Sequence, residues 1–87
     1  MLFDEDALVV ARLAGEFGRF GIEPRHLRLY RTQAEREAGL FEQVVLPLLK
    51  QRNPQARQKA AEALAELGRL GEGMRRALLA QELREHR

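Results

Sequence analysis

Phe20-Gly21-Ile22-Glu23-Pro24 closes one helix and opens the next within five residues. Gly21 can take the left-handed conformation that ends a helix, because it has no Cβ to meet the neighbouring carbonyl. Ile22 then falls where it folds back on Phe17, three residues inside the preceding helix end. Pro24 has the torsion of a first helical residue and lacks only an N–H that would be unpaired there. Ile22 is used a second time, as the apolar residue that staples onto Leu27 of the following helix. A joint of this kind holds two helices at a set angle, and it makes the chain a helical module.

Upstream, Asp4 is the N-cap of a first helix, with Phe3 and Leu8 at stapling positions and Glu5 and Asp6 complementing the positive end of the dipole. Its stripe of Leu8, Val10, Leu13, Phe17 and Phe20 predicts a helix running to Phe20 with one buried face. Downstream, a short second helix is expected from Pro24 to about Arg31. Thr32 and Glu35 have capping-box spacing, so a third helix opens at Thr32. Its stripe of Ala34, Ala38, Phe41, Val45 and Leu48 continues to about Arg52. Pro47 inside that run removes the bond to Gln43, and a bend is expected around Val44 to Leu48. Asn53-Pro54 is a stronger break: proline forces Asn53 out of the helical region, where its side chain caps a helix beginning at Pro54.

The last helix reads as an assembly surface. Ala60, Leu64, Leu67, Gly71, Met74 and Leu78 alternate steps of four and three, the spacing that keeps one seam facing a partner helix. Leu64, Leu67, Leu70, Met74 and Leu78 are the candidate dimer-interface residues. Gly68, Gly71 and Gly73 together cost about 3 kcal/mol of helix propensity relative to alanine, which packing must offset. Two outcomes stay open: one long helix that pairs with a second copy, or a break between Gly68 and Gly73 that makes a fifth helix within one monomer. The expected fold is all-α, a small dimeric bundle of four or five helices with a long C-terminal helix.

Composition narrows the chemistry. Eighty-seven residues make one small domain that buries only roughly 60 to 65% of its unfolded surface, and self-association would relieve that marginality. Cysteine is absent, which removes disulfides, thiolate nucleophiles and thiolate metal sites. No apolar run approaches the roughly 20 residues of a membrane helix, and the acidic start is opposite to a secretory leader. A cytoplasmic chain without membrane association is expected. Serine is missing, no Gly-rich phosphate loop follows a strand, and His26 and His86 have no metal-binding spacing. The reading is of a non-enzyme without cofactor or metal, with His26 an ordinary helix residue and His86 in a frayed tail.

Two side-chain groups admit a sharper use. Arg25, Arg28 and Arg31 form a basic ridge that can contact phosphate or an acidic partner, although such ridges are ordinarily hydrated. The net charge is only +2, and no basic block with interleaved aromatics supports nucleic-acid binding. Phe17, Phe20, Tyr30 and Phe41 come from consecutive helices and are expected to converge, by default as core and alternatively as a ligand pocket.

The run Phe3-Asp4-Glu5-Asp6-Ala7-Leu8, the joint Phe20 to Leu27, and Tyr30-Arg31-Thr32-Gln33-Ala34-Glu35-Arg36-Glu37 resemble MerR-family transcription regulators. With Glu42-Gln43-Val44-Val45-Leu46-Pro47-Leu48-Leu49 and Gln51-Arg52-Asn53-Pro54-Gln55-Ala56-Arg57, the chain is similar to the FtsR-type branch associated with cell-division gene control. The resemblance implies a single C-terminal domain, residues 1–87, that dimerises or responds to a small-molecule effector. The winged helix-turn-helix head of the family has no counterpart in this chain. A full-length parent would bind DNA and act with RNA polymerase, while this portion would form a homodimer without specific DNA binding. The alternative reading is a free-standing helical adaptor for protein partners.

Overall fold

The computed structural model describes residues 4–85. They are all-α: α1 spans Glu5–Gly18, α2 spans Arg28–Leu49 and α3 spans Pro54–Glu85, and a 3-10 turn over Pro24–Leu27 leads straight into α2. Phe3 and His86, read above as a staple and a tail, lie outside the described residues. The chain divides into two compact units, Met1–Glu35 and Arg36–Arg87, to both of which α2 contributes. No described helix is long and apolar enough to cross a membrane.

Three α-helices replace the expected four or five. The second and third expected helices are one element, and Thr32 lies inside α2 with no break. A capping box marks where a helix can begin and does not by itself stop one. Between Arg28 and Ala38 there is no glycine or proline, so each added residue gains a hydrogen bond without a new nucleation cost. The fifth helix is also absent, because α3 continues through Gly68, Gly71 and Gly73. Pro47 sits inside α2, which ends two residues later at Leu49.

In the first unit Asp4 caps α1, its Oδ1 accepting from the Ala7 N–H at 2.8 Å. At the other end of α1 the joint closes through two diagnostic bonds: Ile22 N–H donates to Phe17 O at 3.3 Å and Gly21 N–H to Gly18 O at 3.0 Å. Gly21 has φ +80°. This is the left-handed closure in which orphan carbonyls of the last turn find donors. Ile22, Leu27, Phe17 and Ala14 are half-buried, so the joint lies at the edge of a small core.

In the second unit α2 turns back through residues 50–53 into α3. Asn53 caps α3, with Oδ1 accepting from the Ala56 N–H at 2.8 Å. Arg52 takes φ 54°, a left-handed position occupied here by a residue with a Cβ. Val45, at 1% exposure, and Ala56 and Ala60 are buried. Phe41, Val45 and Leu48 share one face of α2, and Ala56, Ala60, Ala63, Leu67 and Gly71 share one face of α3. Small residues on α3 thus meet large ones on α2. The closest approach is at Gly71, where a Cβ would lie 3.3 Å from Phe41 Cζ and against the Glu37 carboxylate.

Two stability outcomes follow. Gly21→Ala forces a Cβ into the left-handed region and is expected to lower unfolding free energy by about 1–2 kcal/mol in urea denaturation. Gly68, which has open space around it, gains about 1 kcal/mol on replacement by alanine. Gly71→Ala gains less than Gly68→Ala in the same measurement, because Phe41 and Glu37 must shift.

Candidate functional site

The first unit carries an apolar groove lined by Leu13, Phe17, Phe20 and Ile22, with Glu16 at its rim. It exists because the joint at Gly21 reverses the chain and returns Ile22 to the α1 face that holds Leu13 and Phe17. Phe17 and Tyr30 meet with ring centroids 5.7 Å apart at 35°, an offset tilted arrangement that the ring quadrupoles favour. Phe20 is 76% exposed. The Arg19 guanidinium lies 5.8 Å from the Phe20 ring centroid and 3.8 Å from Glu16 Oε1. Phe41, the fourth aromatic of the expected cluster, belongs to the second unit and rests beside Gly71.

Arg25, Arg28 and Arg31 are exposed on the 3-10 turn and the start of α2. Arg25 Nε donates to Glu23 Oε1 at 3.1 Å, an exposed pair worth little in stability that still orients the guanidinium toward the joint. His26 has a defined structural use that its sequence position did not suggest. Its Nδ1 accepts the Glu23 N–H at 2.9 Å, and its own N–H donates to Glu23 O at 2.9 Å. The signal for it was a polar acceptor three residues after the start of a turn, the capping-box spacing with histidine in place of glutamate. Among the described residues, no group of three His, Asp or Glu side chains is placed to hold a metal ion.

The five α3 positions named as interface candidates divide in the second unit. Leu67 is half-buried on the face shared with Ala60 and Gly71, which turns toward α2. Leu64 is at the margin of exposure, and Leu70, Met74 and Leu78 are 60%, 63% and 53% exposed. Among the exposed apolar residues of α2 that the sequence reading assigned to no face are Leu40 and Val44. They are an i, i+4 pair beside the buried stripe, a second ridge that the stronger period of Phe41, Val45 and Leu48 conceals.

Against protein-family models, residues 1–87 match the family described as Rv1828-like, C-terminal domain. Two curated relatives are 34% identical over 83 residues: the uncharacterized HTH-type transcriptional regulators Rv1828 of Mycobacterium tuberculosis and Mb1859 of Mycobacterium bovis. The match covers 95% of this chain and 34% of each relative, so the chain spans about a third of the length of the curated relatives it matches. Both relatives are named as transcription regulators and neither as an enzyme, in keeping with the non-catalytic reading of the residues. No solved structure matches the chain.

The His26 contact has a measurable consequence. His26→Ala removes the acceptor for the Glu23 N–H and is expected to cost about 0.5–2 kcal/mol by chemical denaturation, within the range of lost N-terminal caps.

Proposed function

The chain belongs to the family of Rv1828-like C-terminal domains, and from that premise we propose that it is the dimerisation portion of an HTH-type transcription regulator. The DNA-reading helix belongs to another part of the parent protein. The observation that carries this reading is the run of exposed apolar residues Leu70, Met74 and Leu78 along α3. Steps of four keep them on one side of the helix, in a strip that a second copy can cover. Each such side chain is worth about 1.5–3 kcal/mol when fully buried, and two copies contribute six. That gain competes with an association cost of about 4–15 kcal/mol, so the dimer depends on protein concentration.

A dimer at this position gives the regulator its geometry. In two-fold DNA readers the subunit pairing sets the separation of half-sites, while base contacts come from the recognition helices. The finer reading places the parent in the FtsR-type branch of MerR regulators, acting in the cytoplasm on cell-division genes with RNA polymerase. In that reading the groove beside Phe17 and Phe20 is where an apolar effector fits.

Sedimentation equilibrium tests the dimer. The unaltered chain is expected to approach twice its 10.0 kDa mass at about 100 µM, and a Leu70→Glu, Met74→Glu double variant to remain monomeric with unchanged helical circular dichroism. A monomeric unaltered chain at that concentration, or a double variant that still dimerises, overturns the proposal.

A further inference from the structure

The net charge of +2 conceals how the charge is distributed. From Gln43 to Ala61 the chain carries four basic residues, Lys50, Arg52, Arg57 and Lys59, and no aspartate or glutamate, whereas the rest of the chain has eleven basic residues and thirteen acidic ones. The fold gathers the four at one end of the second unit. Lys50 and Arg52 stand in the connection between α2 and α3, and Arg57 and Lys59 in the first two turns of α3. All four are exposed, and among the described residues none of them is held in an ion pair, while Arg19, Arg25, Arg69 and Arg76 each meet a glutamate. Glu62, the next acid along the sequence, accepts from Gln58 at 3.4 Å instead. Arg57 and Lys59 are about 160° apart around α3, so the positive region is the end of the hairpin and not one of its sides. The negative end of α2 and the positive end of α3 meet there and offset one another, which leaves the side chains to set the field.

We propose that this basic tip is a contact surface for the phosphate backbone of double-stranded DNA. This rests on the regulator reading above, which supplies the duplex, and not on the dimer. Gln51 and Gln55 stand exposed between the cations, and arginine, lysine and side-chain amides are the groups that contact phosphates. Two rival partners fit less well. Single-stranded nucleic acid is held by stacking on aromatic rings, and no aromatic residue follows Phe41. A protein partner is held by aromatic or large apolar anchors, and residues 50–59 contain none. Backbone contacts carry no base information, so the tip adds affinity to whatever site a recognition helix selects. Arg52 is the most telling of the four. With φ 54° it occupies a left-handed position that glycine holds at less cost, so a cation stands where backbone conformation alone disfavours it.

Fluorescence anisotropy of the chain with a labelled random duplex of about 20 base pairs tests the surface. Binding is expected at about 50 mM salt, with a slope of log affinity against log salt between about −2 and −4, at about −0.9 per phosphate contacted. Lys50→Gln, Arg57→Gln and Lys59→Gln together weaken binding at least about tenfold and bring the slope toward about −1. Arg28→Gln with Arg31→Gln, which removes exposed charge from the first unit, leaves the affinity within about twofold. Arg52→Gly guards against loss by unfolding: it relieves the left-handed position, so the thermal midpoint holds or rises while affinity for the duplex falls about two- to threefold. A duplex that fails to bind at that salt, a tip variant that binds like the unaltered chain, or a first-unit variant that loses as much as the tip variant overturns the proposal. Capture of poly-glutamate by a chain that ignores the duplex overturns it in favour of an acidic protein partner. A chain that dimerises in the sedimentation test and ignores the duplex removes the tip contact alone; a monomer whose tip binds the duplex removes the dimer alone.

Discussion

Phe41 rests on α3 at a position that has no side chain. A Cβ on Gly71 would press on the Phe41 ring and on the Glu37 carboxylate, so the helices pack closely at that point and any larger residue makes those two side chains shift. Close spacing is what lets the alanines of α3 reach the large residues of α2. Val45, Ala56 and Ala60 are buried as a result, and they are the only fully buried residues described in the chain. Three glycines cost α3 about 3 kcal/mol of propensity, and the contact at Gly71 shows where one of them returns packing in exchange.

The same closeness limits what one chain can bury. An alanine-lined contact between two helices covers one narrow face of each, leaving Leu40, Val44, Leu70 and Met74 in water. Large apolar residues exposed together on one hairpin exceed the singly scattered leucines of an ordinary protein surface. The first unit works on a smaller scale. There the left-handed Gly21 returns Ile22 to Phe17, and the aromatic contact of Phe17 with Tyr30 holds the start of α2 to α1.

Local chemistry was largely legible in the residues. Asp4 and Asn53 cap the helices that the sequence assigns to them, and Gly21 closes α1 in the conformation its missing Cβ permits. Each of these depends on a side chain and a backbone group within four residues, so a short window contains the whole interaction. Thr32 misled for the same reason. Its capping-box spacing is a local permission, and whether a helix stops there depends on whether the preceding residues have already committed to helix. His26 shows a further limit, because histidine at that spacing serves as a cap only when its ring turns toward Glu23.

The sequence by itself therefore determined that this is an all-α chain, where its helices are capped and how its joint closes, since these follow from torsional preference and hydrogen bonds between near neighbours. Continuity of α2 follows from the run Arg28 to Ala38, which has no glycine or proline, whereas tertiary structure decided that α3 survives its glycines and which part of the α3 seam is taken by α2 of the same chain. Those outcomes depend on residues thirty positions apart, Phe41 and Gly71, meeting at a distance that a periodic pattern does not encode. Periodicity says which residues share a face; only the packed hairpin says which of those faces remain uncovered.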